Sequence, residues 1–328
     1  MKSKNKINVI ISICLGILFL ILWLHIIDWQ EFKYYLLNFN VKTALLFSGF
    51  YLLAYFLRSF RWKLILDPVH RISIMESYGI FMTGLLINFL IPIRAGEIAK
   101  SVILKNKHKT PISQSLPTIF IDKFADLFPI LIILVLIPLI SVNLNSYLYT
   151  IIILLVLIFF VFLGFIYFAM NHKSKAVAIL NVFIKFLPKS TQRVIQEFLS
   201  RFVEGFTIMK GRRTTIYAIT VVTSLAVLSE SLYIFMLFSS FGITVSYLKI
   251  LFGYTLMNLT YILPTPPAQI GSNQFMWVVI FSIGLGLNEN LTSAAVTFSH
   301  LLTSILIFLI SIISVISLKI KFTDIIRY

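Results

Sequence analysis

The feature that most constrains this chain is a succession of apolar runs, most of them near bilayer length and two of them shorter. They lie at Ile7–Ile27, Val41–Leu57, Ile72–Pro92, Phe124–Val142, Leu148–Met170, Thr214–Phe241, Tyr247–Leu263, Phe275–Leu287 and Leu291–Leu318. A helix needs about 20 apolar residues to cross a hydrocarbon core of ~30 Å. Of the 328 residues, 59% are hydrophobic and 12% are charged, against about 25% charged in a soluble domain. A soluble globular protein, a disordered chain and a coiled coil are excluded. The formal charge of +16 comes from 28 Lys and Arg against 12 Asp and Glu. In so apolar a chain it reads as positive-inside loops and attraction to anionic headgroups, not as nucleic-acid binding. Cys14 is the single cysteine, so neither an intrachain disulfide nor a cysteine metal cluster can form.

The runs predict an all-α polytopic membrane protein, a single integral membrane domain over 1–328. The basic clusters at the N-terminus, Arg58–Arg71, Arg94–Lys109, Lys173–Arg213 and Lys319–Arg327 mark the cytoplasmic side, with both termini there. The first run follows Lys2, Lys4 and Lys6 without a cleavage site and is expected to be a signal anchor. Both flanks of Ile72–Pro92 are basic, so a single crossing cannot keep both inside. A hairpin that enters from the cytoplasm and turns back resolves the conflict. Tyr247–Leu263 and Phe275–Leu287 are flanked by charge-poor loops and joined through Pro264, Pro266, Pro267 and Gly271, which predicts a second hairpin from outside. The expectation is therefore about six full spans plus two re-entrant helical hairpins in two inverted repeats, about 7–142 and about 148–318. The segment 171–213 is expected to form amphipathic helices on the cytoplasmic face. Non-helical backbone at membrane depth survives only against protein or a water-filled cavity, and paired broken helices are a transporter design.

Residues fit for chemistry gather near the hairpin turns. In Asn88-Phe-Leu-Ile-Pro92-Ile-Arg94-Ala-Gly96-Glu97 the proline breaks a helix, the glycine permits a tight turn, and the helix restarting at Glu97 offers free N–H groups to an anion. Arg94 adds a planar fork suited to phosphate, with ion pairing to Glu97 as the structural alternative. Arg58, Arg61 and Trp62 read first as anchors where a span meets the cytoplasmic interface, with headgroup contact as the second reading. Asp122, Lys123 and Asp126 either cap the next helix or bring Asp122 to Arg94. Glu230 falls in mid-span and is expected to face a cavity; the alternative is a protonated, hydrogen-bonded packing group. Asn258 answers to Asn88 in the second half. His300 reads as a packing residue.

Arg61-Trp62, Asn88…Pro92-Ile-Arg94-Ala-Gly96-Glu97, Ile121-Asp122-Lys123…Asp126 and Leu263-Pro264…Ile270-Gly271 resemble, over essentially the whole chain, the flippase-like transmembrane family. This is also called the lysylphosphatidylglycerol synthase transmembrane region, the membrane part of the multiple peptide resistance factors. The resemblance implies translocation of a lipid or lipid-linked precursor and marks Asn88, Arg94, Glu97 and Asp122 as pocket candidates. Gln274 stands where the family often has an acid after the second proline element, which keeps hydrogen bonding and removes a charge. The chain leaves no room for a soluble aminoacyl-transferase domain, so the resemblance implies the membrane module alone.

No Walker loop, metal-ligand spacing or nucleophile elbow is present in the sequence. The expectation is a plasma-membrane translocator, not an enzyme, without cofactors. Its partners would be an anionic phospholipid or polyprenyl-linked lipid, the bilayer, and a separate aminoacyl- or glycosyltransferase. The alternatives are a lipid-presenting subunit, a membrane-embedded enzyme and a scaffold for envelope synthesis. Single cysteines placed near Lys107 and Arg213 should label from the cytoplasm, and those at Asn145 and Asn288 from outside. Labelling of the Arg71 and Lys107 positions on opposite sides would rule out the first hairpin.

Overall fold

In the computed structural model, the protein is described at residues 2–91, 95–137, 146–184, 211–260 and 266–320, with isolated positions between 192 and 203. Among the described residues every regular element is a helix. In chain order these are α1 (Lys2–Ile26), α2 (Trp29–Leu37), α3 (Val41–Leu66), α4 (Ile74–Leu90), α5 (Ala95–His108), α6 (Ile112–Ala125), α7 (Pro129–Leu136), α8 (Ser146–Asn171) and α9 (Lys173–Ile184). There follow α10 (Arg213–Ser240), α11 (Tyr247–Thr260), α12 (Ser272–Trp277, continued as a π-helix over Val278–Gly284) and α13 (Glu289–Ser317). Short polar side chains start several of them. Asp28, Asn40, Ser73 and Asn288 each accept from backbone N–H groups of the first turn of α2, α3, α4 and α13, satisfying donors that a helix start leaves open.

Among the described residues, four helices are long and apolar enough to cross a membrane: α3, α10, α13 and the Ile152–Asn171 part of α8. A fifth arises if α1 and α2, bent by 92°, count as one broken span. The protein is thus an all-α, multi-pass membrane protein. The run at Phe124–Val142 is broken near its start: α6 ends at Ala125, Asp126 caps it, and α7 begins at Pro129. The rest of that run, at 138–142, lies outside the described residues, as do most of 185–210 and residues 261–265. In the expected amphipathic segment only α9 is described as a helix; its Ala176 is buried beside Ala169 and Val203.

One further boundary differs from expectation. The run at Val41–Leu57 does not end at Leu57; α3 continues to Leu66 and carries Arg58, Arg61 and Trp62 into the protein interior. Along its length α3 packs against α10. Small hydroxyls tie helices together: Ser229 of α10 donates to Phe50 O of α3 at 2.8 Å, Ser77 of α4 to Ser59 O of α3 at 2.9 Å, and Ser311 of α13 to Met82 O of α4 at 2.8 Å. Each such bond between membrane helices is worth about 0.6 kcal/mol on average.

Each of the two long helices is followed by a pair that folds back on itself, α4 with α5 and α11 with α12. In the first hairpin a Cβ on Gly96 would sit 1.8 Å from the carbonyl oxygen of Gly84, so two backbones touch where no side chain fits. Asn88 closes the same turn by accepting from Gly96 N at 2.7 Å. At the other end of the hairpin, Glu76 accepts from Lys107 at 2.6 Å and meets His108 at 2.8 Å. Burial there opposes the charge, and those two partners outweigh it, holding the Glu76 carboxyl below its ordinary range. In the second hairpin Gly271, at φ 78°, starts α12 where a Cβ would lie 2.6 Å from Gly16 O of α1. The turn over Pro267–Gln269 also packs against α4, so the two hairpins meet.

Gly96→Ala should lower stability by about 1–3 kcal/mol or more, seen as a fall in the thermal unfolding midpoint of the purified protein. Gly164→Ala, where nothing lies within 4 Å, should leave the midpoint unchanged. Equal midpoints for both variants would contradict the backbone contact.

Candidate functional site

Between the hairpins and the long helices lies a cavity of about 820 Å³, within the range of small-ligand sites, roughly 300–1,000 Å³. Its basic lining residues are Arg58 from α3, Lys100 from α5 and Lys123 from α6, and its acidic ones are Glu97, Asp126 and Glu230. The second hairpin and α13 contribute neutral polar groups, among them Asn258, Gln269, Asn273, Ser299, His300 and Thr303. Aromatic side chains, including Tyr51, Tyr55, Phe89 and Trp277, fill the intervals.

The charged groups form two linked sets. Arg58 is paired with Glu230, and Tyr254 completes a triangle: its hydroxyl accepts from Arg58 at 2.8 Å and donates to Glu230 at 2.6 Å. The Arg58 guanidinium also lies 5.0 Å from the centre of the Tyr55 ring. In the second set Arg61 bridges Asp122 at 2.7 Å and Asp126 at 2.6 Å, and donates to Thr223 of α10. Asp126 meets Lys123 at 3.2 Å; Lys123 reaches Glu97 at 3.3 Å, and Glu97 pairs with Lys100 at 2.6 Å. Asn88 donates to Glu97 at 3.1 Å while accepting from Gly96, so one side chain fixes both the turn and the carboxylate. Charges at such depth persist only when paired, because desolvation costs several kcal/mol per ion.

Asn88, Glu97, Glu230 and Asn258 line the cavity, as the sequence reading expected of Glu230. Asn258 donates to the carbonyl of Asp126 at 3.3 Å. Asp122 stands behind the wall, fully buried against Arg61, and neither placement foreseen for it describes that contact. Gln274 also lies behind the surface: it accepts from Gly271 N at 2.9 Å and holds His300 Nδ1 at 3.0 Å. His300 therefore both packs and lines the cavity. Arg94 lies outside the described residues.

The reading of Arg58, Arg61 and Trp62 as anchors at the cytoplasmic interface is corrected. Their exposures are 8%, 1% and 0%, so none is an interfacial anchor. Buried acids on α6 and α10 draw the arginines inward, and Lys100 lies 5.4 Å from the centre of the Trp62 ring. Sequence reasoning passed over Lys100 and Tyr254. The spacing of Lys100 three residues after Glu97 on a helix was a usable signal; Tyr254, in an apolar helix, carried none.

Charged hairpins that enclose a polar cavity inside apolar helices narrow the comparison to membrane families. The chain matches the family described as lysylphosphatidylglycerol synthase TM region over residues 9–311. It belongs to that family. No curated protein matches the chain, and no solved structure does. Membership in the lysylphosphatidylglycerol synthase TM region family ties the chain to membrane lipid modification or translocation. The match takes in both hairpins and every charged residue that lines the cavity.

Arg61→Met should strand Asp122 and Asp126 and cost about 3–5 kcal/mol, measured as a loss of thermal stability in detergent. Adding Asp122→Leu should recover part of that loss. An Arg61→Met protein as stable as the wild type would show that the buried bridge holds nothing together.

Proposed function

We propose that the chain is a lipid translocator whose cavity takes the headgroup of an anionic lipid, or of a lipid-linked envelope precursor, while the tail stays in the bilayer. The observation that carries this reading is the composition of the cavity's rim. Ile98, Phe120 and Ile158 line the cavity and are also 55%, 46% and 58% exposed. Exposed apolar residues at the mouth of a charged cavity suit a lateral opening to lipid, where a water-soluble solute would have no use for them. The polar interior replaces water around the headgroup, and the positive-φ turn through Ala268, Gln269 and Gly271 supplies irregular backbone of the kind that alternating-access proteins place around a substrate. On this reading the two halves are inverted repeats, and the protein works in the plasma membrane with both termini in the cytoplasm.

Arg94 is proposed as the principal anion contact. Its place in the sequence is between Asn88 and Gly96, the two residues joined across the first turn. Neutralising Glu97 is not needed as its role, since Lys100 and Lys123 already meet that carboxylate. A second reading rests on the family description, which names a synthase. In it the cavity presents a lipid to a separate aminoacyl- or glycosyltransferase and performs no catalysis itself.

The test is translocation of fluorescent lipids in proteoliposomes, anionic against zwitterionic. The wild type should move the anionic lipid faster. Arg94→Lys, which keeps charge and loses the bidentate fork, should slow it at least about tenfold, equivalent to ~1.4 kcal/mol. Arg94→Gln should nearly abolish it, and Arg94→Gln with Glu97→Gln should remain inactive. Full rescue by the double change would reduce Arg94 to an ion-pair partner, and absence of translocation by the wild type would leave only the presenting role.

A further inference from the structure

Several neutral polar side chains that line the cavity are already engaged. Asn258 donates to Asp126 O, Ser299 meets the Tyr233 hydroxyl at 3.1 Å, Thr303 donates to Ser299 O at 2.8 Å, and Gln274 holds His300 Nδ1 at 3.0 Å. Two lining side chains on α12 are not. Asn273 Oδ1 and Trp277 Nε1 are buried, and neither finds a hydrogen-bond partner among the described residues. An unpaired buried polar atom is costly, and in a cavity wall its partner is what the cavity holds. Trp277 is 4% exposed, and its ring is packed against Phe238 at 6.0 Å and Phe281 at 5.1 Å. Asn273 stands one turn before it on the same helix face, a spacing that puts Cβ atoms about 5–6 Å apart.

The turn that leads into α12 is strained. Ala268 and Gln269 both take left-handed backbone, at φ 52° and 55°, although neither is glycine. Strain of that kind gathers at ligand clamps, and Gln269 itself lines the cavity. Gln274 then accepts from Gly271 N and ties the start of α12 to His300 of α13, which sets the face carrying Asn273 and Trp277. The chemistry of a ligand follows from the pair. An indole N–H only donates, and an amide oxygen only accepts. A phosphate oxygen answers Trp277 but not Asn273, and an ammonium answers Asn273 but not Trp277. Hydroxyls do both, and neighbouring hydroxyls on one ring reach both side chains at once. The cavity's volume of about 820 Å³ lies toward the upper end for drug-sized ligands, more than phosphoglycerol fills.

We propose that Asn273 and Trp277 form a sugar subsite: the lipid carries a glycosyl phosphate, whose sugar hydroxyls donate to Asn273 Oδ1 and accept from Trp277 Nε1. The proposal rests on the translocator reading, leaves the phosphate to Arg94, and names the class of headgroup.

The experiment compares farnesyl phosphate, farnesyl phosphoglycerol and farnesyl phosphoglucose, which share tail and phosphate. Affinities are measured by microscale thermophoresis on the full chain in lauryldimethylamine oxide, a detergent without sugar. The wild type should bind the phosphoglucose lipid at least about tenfold tighter than either of the others, as two further neutral hydrogen bonds allow. Asn273→Leu keeps bulk and loses the acceptor; Trp277→Phe keeps an aromatic ring and loses the donor. Each should bring the preference below about threefold. The preference is a ratio within one protein, so a general loss of binding does not imitate its loss. Equal binding of phosphoglucose and phosphoglycerol lipids by the wild type overturns the sugar subsite alone, whether or not a variant folds. A preference that survives in either variant overturns it equally. Failure of the wild type to bind any of these lipids would overturn the translocator reading, and the subsite with it.

Discussion

Everything in the interior depends on the requirement that a charge taken out of water be met by another. Helix α3 carries two arginines one turn apart, and each faces a different acid set: Arg58 meets Glu230 of α10, and Arg61 meets Asp122 and Asp126 of α6. Without those acids the helix would have no reason to run nine residues beyond its apolar stretch, because an unpaired buried arginine costs several kcal/mol. With them, α3 becomes the post to which α6 and α10 are fastened. The same pairs furnish the charged wall of the cavity, so the bonds that order the fold are the bonds a ligand has to rearrange.

The hairpins depend on a second constraint, close backbone approach. Gly84 against Gly96 lets α4 and α5 lie together, and Gly271 lets the second turn seat on α1. Asn88 and Glu97 of the first hairpin and Asn258 and Trp277 of the second thereby line one cavity, where charged, neutral polar and aromatic groups are interleaved.

Much of this was legible in the sequence because lipid as solvent leaves few options. The apolar runs and basic flanks predict helices and place a hairpin over the segment that became α4 and α5. Glu230 stands out because a carboxylate inside an apolar span is costly. The pairing of Arg58 and Arg61 was not legible, since basic residues after an apolar run look the same whether they reach the interface or turn inward. Their partners lie 172 and 61 residues away along the chain, a separation that no local pattern encodes. The break between α6 and α7 was hidden for a related reason: Asp126 caps α6 and binds Arg61 at once, and only the second fact requires it to be buried.

The central claim is that an anionic headgroup enters the cavity between the hairpins. The most direct measurement is photo-crosslinking in liposomes with two anionic lipids, one with a diazirine on the headgroup and one with it at the end of the tail, mapped by mass spectrometry. The account predicts that the headgroup probe labels cavity-wall peptides, such as those containing Leu85, Met257 and Trp277, while the tail probe labels the outward faces of α8 and α13. Headgroup labelling confined to those outward faces, with the cavity wall untouched, would contradict it.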